Sequence, residues 1–120
     1  MNCVLDTNTA LYFLAGRLAK ALPQADFSVS VITEIELLSY PLIKIDDEIE
    51  IRAFLNDVAI IDLTDVIKQF AIHFRRQYRI KLPDAVIAAT TYCLNAETLT
   101  NDRKLLNIPE LTAKSLPLTI

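Results

Sequence analysis

Three aspartates stand where one predicted element of the chain gives way to the next. Asp6 follows residues 1–5, which are apolar apart from Asn2, and Asp102 comes two residues after the short strand candidate 97–100. Asp84 lies in the first turn of a predicted helix. In an open parallel sheet, ligands bind outside the carboxyl ends of the strands, so acids at such points face a crevice rather than the core. The alternative for Asp6 is a purely structural role as the cap of the following helix.

Carboxylates dominate the reactive side chains once other chemistries are excluded. A single glycine, Gly16, rules out the Gly-rich phosphate loops of nucleotide-binding folds, and a single histidine, His73, removes most catalytic triads and zinc sites. Clustered carboxylates are typical of Mg²⁺ or Mn²⁺, which also offset the repulsion among the acids. The chemistry that this inventory predicts is hydrolysis of a phosphodiester with one or two divalent ions.

Short apolar or β-branched runs alternate with helix-like segments along the chain. The pattern predicts strands at 1–5, 26–30, 58–62, 97–100 and 115–120, and helices at 9–15, 31–39, 46–56, 65–78 and 82–95, with short helical turns in 17–25 and after 103. This alternation predicts the α/β class with a doubly wound parallel sheet. Right-handed crossovers then bring Asp6, Asp84 and Asp102 towards one edge of that sheet.

The second predicted helix offers two further acids, Glu34 and Glu36. They are two residues apart and therefore point to different faces of a helix, so at most one of them faces a site. Each shares its face with apolar neighbours, so periodicity alone does not choose between them.

Length and composition predict one domain over residues 1–120 with a full core. The hydrophobic share of 52% and the mean hydropathy of +0.33 are high for a small protein, which predicts an apolar surface covered by a partner in an oligomer or complex. No apolar run approaches the roughly 20 residues of a membrane helix, and a signal-peptide flank is absent, so we expect a cytoplasmic protein without membrane attachment. Cys3 and Cys93 lack metal spacing and are expected to be buried thiols.

Residues 66–83 contain no acid, in a chain whose net charge is −3. They hold five of the 12 basic residues, namely Lys68, Arg75, Arg76, Arg79 and Lys81. A solvated helix face explains such charges, and so does a surface that follows RNA phosphates; both interpretations stay open at this point.

Four segments of the chain carry a family resemblance. They are VLDTN at 4–8, SVITEIELL at 30–38, LPDAVIAATT at 82–91 and LTNDRKL at 99–105. Each is weak alone, but together and in this order they are similar to the signature segments of the PIN-domain family, and more narrowly of its VapC-type ribonuclease toxins. The resemblance implies a PIN-like three-layer α/β/α fold with a mostly parallel central sheet of four to five strands.

The resemblance also implies roles for individual residues. It implies an acidic quartet that holds Mg²⁺ or Mn²⁺ directly or through water, formed by Asp6, Glu36, Asp84 and Asp102. The second segment aligns Glu36 with the family pattern, which leaves Glu34 as a bystander. Asn8 and Thr100 match supporting positions that orient the carboxylates or water, whereas Thr7 is expected only to begin the first helix.

The activity that the resemblance implies is that of a metal-dependent endoribonuclease toxin. Such toxins cut structured cellular RNA such as tRNA or ribosomal RNA, arrest translation, form homodimers and are neutralised by a cognate VapB-like antitoxin. In that setting we expect the RNA-binding surface to consist of four basic residues of this chain, namely Arg75, Arg76, Arg79 and Lys81. The chain departs from the family at Leu105, where an aromatic residue is usual, and in the short segment between Gly16 and Asp26.

Two other functions compete with the nuclease. A phosphatase that uses Asp6 as a nucleophile needs a second acid two residues later, where this chain has Asn8. A catalytically inactive PIN-like module that binds protein or RNA is the stronger alternative, and metal-dependent turnover separates it from the nuclease.

Overall fold

The computed structural model describes residues 1–119, which form five strands and six helices. The strands are β1 (Asn2–Leu5), β2 (Asp26–Ser30), β3 (Ala59–Ile61), β4 (Glu97–Leu99) and β5 (Thr112–Lys114). The helices are α1 (Thr7–Leu14), α2 (Val31–Leu38), α3 (Ile45–Asn56), α4 (Asp65–Tyr78), α5 (Leu82–Cys93) and α6 (Arg103–Leu106).

The strands form one sheet in the order β3-β2-β1-β4-β5, and every neighbouring pair is parallel. The α/β prediction and the parallel sheet are therefore confirmed. The central strand β1 buries Cys3, Val4 and Leu5 completely, as expected of a parallel strand covered on both faces. The carboxyl end of this central strand leads directly into Asp6.

Two hydrophobic clusters cover the two faces of the sheet. Val4 packs in a cluster with residues of α4 and α5, whereas Cys3 and Leu5 pack in the other with residues of α3 such as Phe54. The split follows from the side-chain period of two along a strand. Helix α5 is buried from Ala85 to Thr91 and touches β1, β2 and β4, because its small side chains allow close approach to the sheet. No helix within the described part of the chain is long and apolar enough to cross a membrane.

The structure corrects several predicted boundaries. Helix α1 begins at Thr7 rather than at residue 9. The predicted helical turn in residues 17–25 is wrong, because Leu18 instead forms an antiparallel bridge with Leu118. The last strand is Thr112–Lys114 rather than 115–120, and Ile120 lies outside the described residues. Paired in register with β4, β5 ends before Pro117, whose missing N–H cannot donate to a ladder.

The expectation of two buried thiols is half right. Cys3 is buried in β1, but Cys93 is exposed at the end of α5. Helix α5 ends two residues earlier than predicted, and Asn95 adopts a left-handed conformation with φ of 50°. The last turn of the helix therefore carries Cys93 out of the packed region. Leu105, the departure from the family pattern, is fully buried in the core.

Replacing Phe74 by alanine tests the contact between α4 and α5. Phe74 is fully buried, and its ring lies 6.0 Å from the Tyr92 ring of α5. We expect Phe74→Ala to lower the free energy of unfolding by about 3–5 kcal/mol, measured by urea denaturation. Ile72→Ala, on the same helix at a side chain that is 46% exposed, is the control and should cost about 1 kcal/mol or less. Equal losses for the two variants would contradict this packing.

Candidate functional site

Asp6 is buried at the carboxyl end of β1 and is hydrogen-bonded through both of its oxygens. Its Oδ1 accepts a hydrogen bond of 2.8 Å from the backbone N–H of Thr9, and its Oδ2 accepts one from the Thr100 hydroxyl. Asp6 is therefore the cap of α1, and the same carboxylate lies where the sheet ends. The two interpretations of Asp6 are compatible, because each carboxylate oxygen has two acceptor positions and the hydrogen bonds from Thr9 and Thr100 use one on each oxygen.

The Thr100 side chain links two of the predicted acids. It is completely buried directly after β4, the neighbour of β1 in the sheet. Its hydroxyl donates to Asp6 and accepts a hydrogen bond of 3.0 Å from the backbone N–H of Asp102. Asp102 in turn caps α6, because its Oδ1 accepts from the N–H of Lys104 at 2.8 Å. One hydroxyl thus links the carboxylate at the end of β1 to the backbone of Asp102 after β4.

The charges of the predicted acids act together on one carboxyl group, that of Asp84. Partial burial in the first turn of α5 raises its pKa, and the negative charges of Asp102, Asp6 and Glu36 raise this pKa further. Lys81 acts in the opposite direction and lowers the pKa of Asp84. The charges of three carboxylates from different parts of the chain therefore act on the fourth.

Of the two acids in α2, Glu36 rather than Glu34 acts on the predicted site, a choice that sequence periodicity left open. Glu36 acts on the pKa of Asp84, whereas Glu34 is not among the groups that do. The Oε1 of Glu36 also accepts a hydrogen bond of 2.6 Å from the Thr7 hydroxyl, which lies 3.0 Å from the Thr33 hydroxyl. The sequence interpretation assigned no such contact to Thr7. Its position directly after Asp6 was the available signal.

The remaining predicted residues are more scattered. Asn8 is exposed in the first turn of α1. All four predicted RNA-binding residues are exposed, namely Arg75, Arg76, Arg79 and Lys81. Lys81 precedes α5 and acts on Asp84, whereas Arg75 borders an apolar groove between α4 and α5 that includes Ile72 and Leu82. Of these four cations, Lys81 is the one whose charge is coupled to the acids.

The donor chemistry of the site fits a hard divalent cation. All four acids offer carboxylate oxygens, the ligands that Mg²⁺ and Mn²⁺ prefer, and a positive ion among them would offset the negative charges that act on Asp84. Within residues 1–119, no three acidic, histidine or cysteine side chains form a ready-made metal site. Mg²⁺ commonly keeps several waters and takes only one or two protein carboxylates, so a hydrated ion suits this arrangement.

Comparison with known proteins identifies the family. The model of the PIN domain matches residues 3–111, and the chain therefore belongs to the PIN-domain family. A comparison with curated proteins finds no match. The sheet order and helical layers described above are accordingly those of a PIN-like fold.

Solved structures support the same assignment. VapBC2 from Rickettsia felis, bound to a DNA fragment from its promoter, matches with a TM-score of 0.81 and 22% identity over 98% of this chain and 100% of that chain. A toxin–antitoxin complex from Klebsiella pneumoniae matches with a TM-score of 0.75 and 28% identity, over 92% of this chain and 95% of that chain. DNA-bound VapBC from Salmonella typhimurium matches with a TM-score of 0.79 and 17% identity, over 96% of this chain and 98% of that chain. The resemblance to VapC-type proteins is confirmed.

Replacing Asp84 by asparagine tests the repulsion among the acids. The folded-state pKa of Asp84 lies above its usual value, so between the two pKa values the folded protein binds more protons than the unfolded one, and stability falls as pH rises. Asp84→Asn removes this penalty. In a chelator, we expect the variant to match the wild type at low pH and to exceed its Tm by about 2–6 °C at pH 7.

Thermal unfolding followed by circular dichroism between pH 3 and 8 measures this difference. Asp26→Asn is the control, because Asp26 is exposed at the start of β2. It therefore lies at the amino ends of the strands, away from the acids at their carboxyl ends. A wild-type protein at least as stable as Asp84→Asn at pH 7 would show that the acids do not repel one another in this way.

Proposed function

We propose that this protein is a Mg²⁺- or Mn²⁺-dependent endoribonuclease toxin of the VapC type. The observation that carries the proposal is the action of Asp102, Asp6 and Glu36 on the carboxyl group of Asp84 at the end of a parallel sheet. Membership in the PIN-domain family and the similarity to chains of VapBC complexes support it. Its substrate would be a structured cellular RNA such as tRNA or ribosomal RNA, and residues 1–120 would act as one domain.

The four acids have distinct environments in this proposal. The Asp6 carboxylate is held by the backbone N–H of Thr9 and by the Thr100 hydroxyl. The Asp102 carboxylate is held by the backbone N–H of Lys104. The other two acids lie on helices, Asp84 in the first turn of α5 and Glu36 in α2. A bound divalent ion would neutralise phosphate charge and make water more acidic for hydrolysis. The Asp6 and Asp102 carboxylates, which these hydrogen bonds already orient, would take part in holding that ion.

An exposed apolar surface supports the proposed partners. Large side chains from α2 to α3 are exposed, among them Ile35, Leu42, Ile45 and Ile49, and Leu42 is 98% exposed. Several large apolar side chains exposed in one stretch of the chain favour a surface that a protein partner covers. We propose that a VapB-like antitoxin and a second copy of the chain cover apolar surface of this protein in the cytoplasm.

One observation favours the second candidate function, an inactive PIN-like module that binds RNA or protein. It is the absence, within residues 1–119, of three side chains already arranged around a metal position. The two candidates predict different outcomes in one assay, because a binding module retains RNA without cutting it.

Replacing Glu36 by glutamine tests the proposed nuclease. Glutamine keeps the size of the side chain but removes the charge that acts on Asp84. With tRNA or ribosomal RNA and Mn²⁺, we expect discrete fragments from the wild type, none in EDTA, and cleavage at least about 100-fold slower for Glu36→Gln.

Glu34→Gln is the matched control, since the same change two residues away removes an acid that does not act on Asp84. It should cut at close to the wild-type rate. Intact RNA under every condition, with protein shown to be folded and free of antitoxin, would favour the binding module instead.

Replacing Arg79 by glycine tests the proposed RNA-binding surface without a cost in stability. Arg79 ends α4 in a left-handed conformation with φ of 52°, which glycine adopts more easily than arginine. We expect the free energy of unfolding to stay constant or rise by up to about 1 kcal/mol, while RNA affinity falls and its logarithmic salt dependence decreases by about one unit.

Binding is measured in EDTA, which prevents cleavage, at several salt concentrations. Arg52→Gln is the control, because Arg52 carries the same charge but lies on α3 in an exposed ion pair with Glu48. If Arg52→Gln and Arg79→Gly weakened binding equally, net charge rather than the end of α4 would account for the effect.

A further inference from the structure

We propose that Thr7 is a positioning residue, whose hydroxyl group holds Glu36 towards the acidic site and is itself oriented by Thr33. The inference rests on the proposed function, because it assigns a role within the same site. It gives a chemical task to a residue that sequence interpretation placed only at the start of α1.

The direction of the two hydrogen bonds follows from the number of protons. A threonine hydroxyl has one proton, and an ionised carboxylate can only accept. Thr7 therefore donates its proton to Glu36 Oε1 at 2.6 Å, so the 3.0 Å contact between Thr7 and Thr33 must use the proton of Thr33. The chain of donors runs from Thr33 through Thr7 to Glu36.

Helix packing brings the three side chains of this hydrogen-bonded chain together. Thr33 is fully buried in α2 and lies three residues before Glu36, so the two side chains share one face of that helix. Thr7 reaches them from α1, which contacts α2. Thr7 directly follows Asp6, so the side chain that holds Glu36 belongs to the residue next to the acid at the end of β1.

The bond has a consequence for how Glu36 can act. A glutamate has three rotatable side-chain bonds, so a Glu36 side chain without a hydrogen-bond partner is free to turn away from the other acids towards water. The charge-assisted bond from Thr7 opposes that movement and occupies one carboxylate oxygen. The bond leaves Oε2 of Glu36 available to a cation or to water.

Capping does not account for this contact. The start of α1 is already capped by Asp6, which accepts from the N–H of Thr9. The Thr7 hydroxyl points instead to a carboxylate on another helix, 29 positions away in sequence. Loss of the Thr7 hydroxyl should therefore change the orientation of the Glu36 carboxylate more than the stability of α1.

The experiment measures Mn²⁺ affinity by calorimetric titration, which does not depend on turnover. Thr7→Val keeps the side-chain shape but removes the donor, and we expect about 10-fold weaker Mn²⁺ binding. Thr7→Ser should restore affinity to within about 2-fold, since a serine hydroxyl makes the same bond. Thr112→Val is the control at an exposed strand position and should bind like the wild type.

A double-mutant cycle distinguishes positioning from an independent effect. If Thr7 acts through Glu36, Thr7→Val should weaken Mn²⁺ binding in the wild type but add nothing to Glu36→Ala. Additive losses would overturn the inference, and so would Thr7→Val binding Mn²⁺ like Thr112→Val. Circular dichroism checks folding first, and Thr7→Ala replaces Thr7→Val in the cycle if the valine variant is unfolded.

The same titration separates this inference from the proposed function. A wild-type protein that neither binds Mn²⁺ nor cuts RNA overturns both. A wild type that binds and cuts, beside a Thr7→Val variant that does both equally well, overturns the role of Thr7 alone.

Discussion

Repulsion among carboxylates is the constraint on which the rest of this structure depends. Asp84 is disfavoured as an anion by burial and by three other acids, so the chain must hold these groups together against their charge. The parallel sheet brings together the ends of β1 and β4, and the small residues of α5 let Asp84 approach them. Core packing therefore supplies the energy that keeps the acids close, and a bound cation would supply the opposite charge.

Threonine hydroxyls suit the support of such a site better than basic side chains. A lysine or arginine paired with each acid would neutralise it and compete with a cation for its oxygens. A hydroxyl orients a carboxylate but leaves its full charge in place. Thr100 does this for Asp6 and Thr7 does it for Glu36, and Lys81 is the cation whose charge acts on Asp84. The local chemistry thus preserves negative charge where the fold concentrates it.

Sequence reasoning succeeded where a local pattern decides the structure. β2 begins and ends as predicted, and Ser30 caps α2, because a short alternating run meets a strong capping residue there. Sequence reasoning failed for the last strand, whose position depends on pairing with another strand of the sheet. Residues 112–114 become β5 because they align with β4, a long-range contact that no local pattern in 112–120 reveals.

The same distinction applies to the site. Asp6, Asp84 and Asp102 were candidates from their places at element boundaries, since a parallel sheet gathers those positions. The choice of Glu36 over Glu34 needed the family resemblance, and the contact of Thr7 needed the structure. A hydrogen bond between α1 and α2 depends on how the two helices pack, and two residues 29 positions apart carry no local trace of it.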